Sequence, residues 1–215
     1  MNIGKFLSLS GLMLLSCMTY GQTTIRKAEK SIERGKPIKT ARKEAKKWKK
    51  QGFSNLPGSL PIENQIEEAM VLTVLKDENG SAKYLSATGS SRAGSEGVAQ
   101  ANALDNTRAL LAGVVQSQVS ALVSSNKAST QLSATEVETI DEFLSSSKTL
   151  IQSELGPIKP VIVMYRQIDN LFEYRYTIMY ELVNAKIAAK NVVKRELKNK
   201  LKDNEEELDK ILGLK

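Results

Sequence analysis

Two consecutive alternating runs leave this chain little freedom in what it can fold into. Val161, Val163 and Tyr165 alternate with Ile162, Met164 and Arg166. Phe172, Tyr174, Tyr176, Ile178, Tyr180 and Leu182 then alternate with Glu173, Arg175, Thr177, Met179 and Glu181. A period of two sends successive side chains to opposite faces of a strand. Asp169-Asn170 between the runs tolerates positive φ and suits a tight turn. The pattern predicts an antiparallel hairpin over 161–182, which needs further strands and covering helices to be stable. A tyrosine stripe of this kind can hold a flat ligand such as a sugar, but cross-strand and core packing is its ordinary use.

A third strand is predicted over 83–88, where Tyr84, Ser86 and Thr88 alternate with Leu85 and Ala87. Gly89 to Gly94 reads as a turn, and Ser95-Glu96 as a helix cap followed by a first-turn acid. The helix over 95–123 places Ala101, Leu104, Leu111, Val115, Val119 and Leu122 on one face. Gly89-Ser-Ser-Arg-Ala-Gly94 has the glycine spacing of a phosphate loop. Ser95-Glu96 stands where that loop needs Lys-Ser/Thr, and an acid there would repel phosphate, so no nucleotide cofactor is expected.

What the chain lacks narrows its chemistry. It contains no histidine, and its single cysteine is Cys17. Ser-His-Asp and Cys-His catalysis, zinc sites built on His or Cys, and intramolecular disulfides are therefore excluded. No metal or other cofactor is expected. Glu136, Glu138, Asp141 and Glu142 are the carboxylates to weigh for hydrolysis of an envelope polymer. They crowd one predicted helix rather than flanking a cleft, which favours a solvated face.

The first 21 residues read as an export signal. Lys5 supplies a positive start and Phe6 to Leu15 an apolar stretch too short for a stable bilayer span. Leu14-Leu15-Ser16-Cys17 resembles a lipobox, which makes Cys17 a candidate for lipidation. Thr19-Tyr20-Gly21 offers an ordinary cleavage site before Gln22. Residues 26–50 then hold twelve Lys/Arg against three Asp/Glu, whereas 51–215 hold eighteen against twenty-one. The basicity thus belongs to one segment. Over 23–50 the pattern is a basic helix interrupted at Gly35-Lys36-Pro37, with Ile38, Ala41, Ala45 and Trp48 on one side. Arg42, Lys43, Lys46, Lys47, Trp48, Lys49 and Lys50 are its candidate contacts to an anionic surface. An exported chain meets no nucleic acid, so that reading of the run is set aside. The competing reading is a helix docked on an acidic part of the same protein, for which Asp203, Glu205, Glu206, Glu207 and Asp209 are the candidates.

Residues 51–61 read as a linker from their Gly, Ser, Asn and Pro content. A helix is predicted from Ile62 to Leu75, a turn at Asp77-Glu78-Asn79-Gly80, a loop over 124–133 and a second helix over 135–155 ended by Gly156-Pro157. Residues 185–212 read as one long charged helix with Ile187, Leu197, Leu201, Leu208 and Ile211 along a seam. That seam packs on the same domain or joins a second copy in a homo-oligomeric coil.

The A-T-G-S-S of the first strand and the following A-Q-A-N-A-L-D-N-T-R-A-L-L-A resemble the Lpp-twenty (LPP-20) lipoprotein family of bacterial envelope proteins. Ala99, Ala101, Ala103 and Ala109 with Arg108 carry the likeness, which would extend over about residues 62–182. It implies a small α+β domain, an envelope location and no known catalytic residues.

The expectation is therefore an α+β domain over 62–182, in which strand 83–88 and hairpin 161–182 are covered by helices, with charged helices at both ends. The expected role is a non-enzymatic assembly or interaction module of the cell envelope, periplasmic or peripherally or lipid-anchored at the outer membrane. A module binding peptidoglycan, lipopolysaccharide or membrane through the basic segment is the alternative, and an envelope-polymer hydrolase the second.

Overall fold

The computed structural model describes residues 38–78, 80–198 and 205–214. The expected export signal over residues 1–21, Cys17, the basic residues before 38, Leu201 and Asp203 lie outside them. The architecture is α+β, with α1 (Lys39–Lys50), β1 (Ser54–Asn55), α2 (Ile62–Val74), β2 (Tyr84–Ala93), α3 (Glu96–Asn126), α4 (Ala134–Ser146), α5 (Lys148–Glu154), β3 (Pro160–Ile168), β4 (Leu171–Glu181), α6 (Leu182–Leu197) and α7 (Glu205–Ile211). The four strands form one antiparallel sheet in the order β1-β3-β4-β2.

The hairpin forms where the alternation places it, and Asp169 in its turn takes φ 53°. Its tyrosines serve the core. Tyr174 and Tyr176 are buried with Ala99 and Ala103 of α3. Tyr165, Tyr174 and Tyr176 stack, with centroids 5.6 and 6.4 Å apart. Tyr174 also donates a 2.5 Å hydrogen bond to Glu96. Burial, reinforced by that carboxylate, pushes the Tyr174 hydroxyl well above its ordinary pKa.

The first strand is longer than its alternation suggests. β2 runs on to Ala93, so Gly89 lies inside a strand, not in a turn. A Cβ on Gly89 would stand 2.6 Å from Thr107 Oγ1 and 2.8 Å from the Thr107 nitrogen. The glycine is there because α3 crosses β2 at backbone contact. The buried face of α3 also differs from the expected one in its first half. Ala99, Ala103 and Thr107 face the sheet and Ala101 is exposed; beyond them Leu111, Val115 and Val119 are buried as the pattern indicates. Small residues are what a helix this close to a sheet requires.

The 31-residue α3 is the spine of the main core. Its Leu111, Val115, Val119 and Val123 pack with Ile140 and Leu144 of α4, Ile151 of α5, Val192 and Val193 of α6 and Ile211 of α7. The helix expected over 135–155 is divided at Ser147 into α4 and α5.

The C-terminal segment is not one helix. Lys194 pairs with Glu205, Lys190 with Asp209 at 2.6 Å, and Lys186 donates to the Gly213 carbonyl at 2.6 Å. That descending order means α7 runs back antiparallel along α6. The seam residues Leu197, Leu208 and Ile211 are buried in the main core.

Helices cover both sheet faces, not one. Met164, on the face opposite Tyr174, is buried with Ala41, Ala45, Phe53, Ile62 and Ile66 of the α1–α2 layer. The stretch expected to be a linker contributes β1, paired with Met164 and Tyr165.

Candidate functional site

The basic helix α1 is fixed to this second layer by apolar contacts on one side and isolated bonds at its ends. Ala41 and Ala45 are fully buried. The Ile38 nitrogen donates to Glu67 of α2 at 3.1 Å, and Lys49 pairs with Glu63 of α2 at 2.5 Å. Burial alone would raise the Glu63 pKa, but the bonded Lys49 brings it below the ordinary value. Among the described residues the C-terminal acids do not pair with α1. Glu205 and Asp209 are taken by α6, and Glu207 accepts from Lys210, Thr130 and the Gln131 nitrogen. Acids one turn apart on the neighbouring helix lie closer to α1 than any cluster distant in sequence.

Of the contacts proposed for an anionic surface, Trp48 is misplaced. It is half-buried, lies edge-on to Phe53 at 5.5 Å and carries the Arg175 guanidinium at 4.7 Å over its ring. It belongs to the seat of the helix rather than to an outer interface. Lys47 pairs with Glu44 at 2.8 Å and Lys49 with Glu63, so both are partly neutralised. Arg42, Lys43, Lys46 and Lys50 are exposed and form no ion pair among the described residues. Lys39, which sequence reasoning left out, joins them. At 100° per residue, positions 39, 42, 43, 46 and 50 fall within about 100° of arc along about 18 Å of helix. The helical period held this information, but the docked face had to be known before the free face could be drawn.

Beside α1 the sheet face that it covers carries a compact ionic group. Glu173 accepts from Arg166 Nη2 at 2.7 Å and from Arg92 Nε at 2.9 Å. Burial would raise its pKa, but the two guanidiniums pull it below the usual carboxylate value. Arg166 also donates to the Gln51 carbonyl at 2.8 Å and lies 4.5 Å over the Phe53 ring, tying β3 to the end of α1.

The four carboxylates considered for hydrolysis are dispersed in role. Glu136 completes a capping box with Ser133 at the start of α4. Glu138 and Asp141 line a groove of about 500 Å³ with Lys127 and Leu132, and Glu142 is exposed outside that lining. Glu138 and Asp141 share one wall, whereas glycoside hydrolysis needs carboxylates on both sides of the scissile bond. Among the described residues no group of three or more Cys, Asp or Glu is arranged to hold a metal ion, and no helix is long and apolar enough to cross a membrane.

The residues that carry the envelope-family likeness have structural work. Ala99 and Ala103 lie against the tyrosines, and Arg108 donates to the Leu155 carbonyl at 3.1 Å, closing the end of α5. The chain matches no family model, no curated protein and no solved structure.

Proposed function

We propose that this protein is a non-enzymatic interaction module of the bacterial cell envelope that engages an anionic envelope surface through the outer face of α1. The observation that carries the reading is the row Lys39, Arg42, Lys43, Lys46 and Lys50, exposed and without acidic partners among the described residues, on a helix anchored from behind. A rigid array of cations holds a polyanion at little ordering cost, because the spacing is set before contact. The leader of Lys5 and Phe6 to Leu15, and the likeness of A-T-G-S-S and its helix to the Lpp-twenty lipoproteins, support the exported location. Peptidoglycan, lipopolysaccharide and anionic membrane are the surfaces such a compartment offers. With Trp48 turned inward, the contact is electrostatic and lies at head-group level.

The test is co-sedimentation of the chain without residues 1–21 with phosphatidylglycerol vesicles, lipopolysaccharide and purified sacculi at rising salt. Binding to at least one is expected, falling steeply as the Debye length contracts. The triple variant K43E/K46E/K50E is expected to bind about a hundredfold more weakly, from about 1 kcal/mol per basic residue near an anionic surface. Binding unmoved by salt and by this variant would place the contact elsewhere.

A further inference from the structure

The two edges of the sheet are finished differently. At the β3 edge, β1 pairs with Met164 and Tyr165, and the outward Val163 nitrogen donates to Gln65 Oε1 at 2.6 Å. Among the described residues the β2 edge has no strand beyond it. The Leu182 nitrogen donates to the Lys83 carbonyl at 2.9 Å, so odd-numbered residues of β2 bond toward β4. Antiparallel alternation then turns the amides and carbonyls of Ser86, Thr88, Ser90 and Arg92 outward. One of these groups has a side-chain partner that fits this direction: the Ser90 carbonyl accepts from Asn106 Nδ2 at 3.2 Å.

Along that edge lies a cleft of about 410 Å³, lined by Thr88 and Ser90 of β2, Asn106 and Leu110 of α3, Lys148 of α5 and Arg175 of β4. Leu110 is 49% exposed there, so the helix side of the cleft has an apolar patch. Lys148 and Arg175 form no ion pair among the described residues, and Glu173, next to Arg175 on the same face of β4, is occupied by Arg92 and Arg166. Two cations without ion-pair partners therefore flank a row of outward backbone groups, of which only the Ser90 carbonyl has a side-chain partner, Arg175 on the α1 side of the sheet and Lys148 on the α3 side.

We propose that the β2 edge receives an extended acidic segment of a partner protein as a fifth strand. Its backbone pairs with the outward groups of Ser86 and Thr88 and with the Ser90 nitrogen, the Ser90 carbonyl being held by Asn106. Successive side chains of a strand point to opposite faces, so two adjacent acids place one carboxylate toward Arg175 and the other toward Lys148. An apolar neighbour on the helix side covers Leu110. The site is separate from the α1 cation row and stands whether or not α1 binds an anionic surface.

The experiment uses a fluorescent, end-capped peptide alternating threonine and valine around a central Asp-Glu pair, titrated with the chain lacking residues 1–21. Saturable binding is expected, weakened about tenfold when the pair is Asn-Gln and again by Lys148→Glu, since each change replaces charge-assisted contacts by weaker neutral ones or by repulsion. Methylating every second backbone nitrogen of the peptide, in the register that faces β2, is expected to abolish binding without touching the protein. Equal binding of the methylated peptide overturns strand addition. Equal binding of the Asn-Gln peptide overturns the acidic preference. A chain that sediments as a dimer through this edge and takes up no peptide assigns the edge to a second copy and overturns the proposal.

Discussion

The Arg175 guanidinium lies 4.7 Å over the ring of Trp48, joining the centre of the sheet to the only tryptophan in the chain. That contact makes tryptophan emission a reporter on whether α1 is seated. Arg175→Ala is expected to cost about 1 kcal/mol, the worth of a partly exposed cation–π pair, and to shift the emission to longer wavelength. Emission unchanged in the variant would mean that Phe53 and the apolar layer alone hold the ring.

Seating of α1 rests on its apolar side more than on charge. Glu63→Gln removes the Lys49 pair, whose lysine is 49% exposed, and is expected to cost no more than about 0.5 kcal/mol. Ala45→Asp buries an unpaired carboxylate at a position with no exposure and is expected to release the helix. Limited trypsin digestion distinguishes them: rapid cleavage within 39–50 is expected in the second variant and not in the first.

Gly89→Ala tests the close crossing of α3 over β2. The added Cβ meets Thr107 backbone as well as side chain, at 2.8 and 2.6 Å, so the helix has to move. A loss of about 3 kcal/mol in urea unfolding is expected, at the upper end of ordinary overpacking. A loss below about 0.5 kcal/mol would show that α3 shifts freely on the sheet.

Glu207 fastens α7, and acid is expected to loosen it. Lys210 foremost, then the Gln131 nitrogen and the Thr130 hydroxyl, lower its pKa to about 2. An unfolded glutamate titrates at about 4.3. A depressed folded pKa adds stability that is complete above the unfolded value and lost as pH falls through the folded one. The protection of amides in 205–214, relative to their intrinsic exchange rates, is therefore expected to fall between about pH 4.5 and 2. Glu207→Gln is expected to exchange faster at neutral pH and to lose that acid dependence.

What could be read from the residues alone followed local periodicity. The hairpin, the start of β2, the helical nature of 96–123 and the α+β class are all stated by side chains that repeat every two or every three to four residues, whereas the polar 124–126, expected as loop, continue the helix. The same period contained the α1 cation row. Gly89 was opaque because a glycine before a helix signals a turn, and only the approach of Thr107 reveals a strand position that cannot hold a side chain. Residues 185–212 carry helix-forming composition throughout, so nothing local announces that Glu205 and Asp209 lie back against Lys194 and Lys190. The acids chosen as partners for the basic segment were the densest in sequence, yet Glu63 and Glu67 of α2 were the ones in reach. The chain by itself determined where the hairpin, the start of β2 and the long central helix lie, because these are written in the spacing of apolar side chains. Which faces meet, which charges are left without partners and which sheet edge stays open were decided only by tertiary packing, because they depend on groups far apart in the chain.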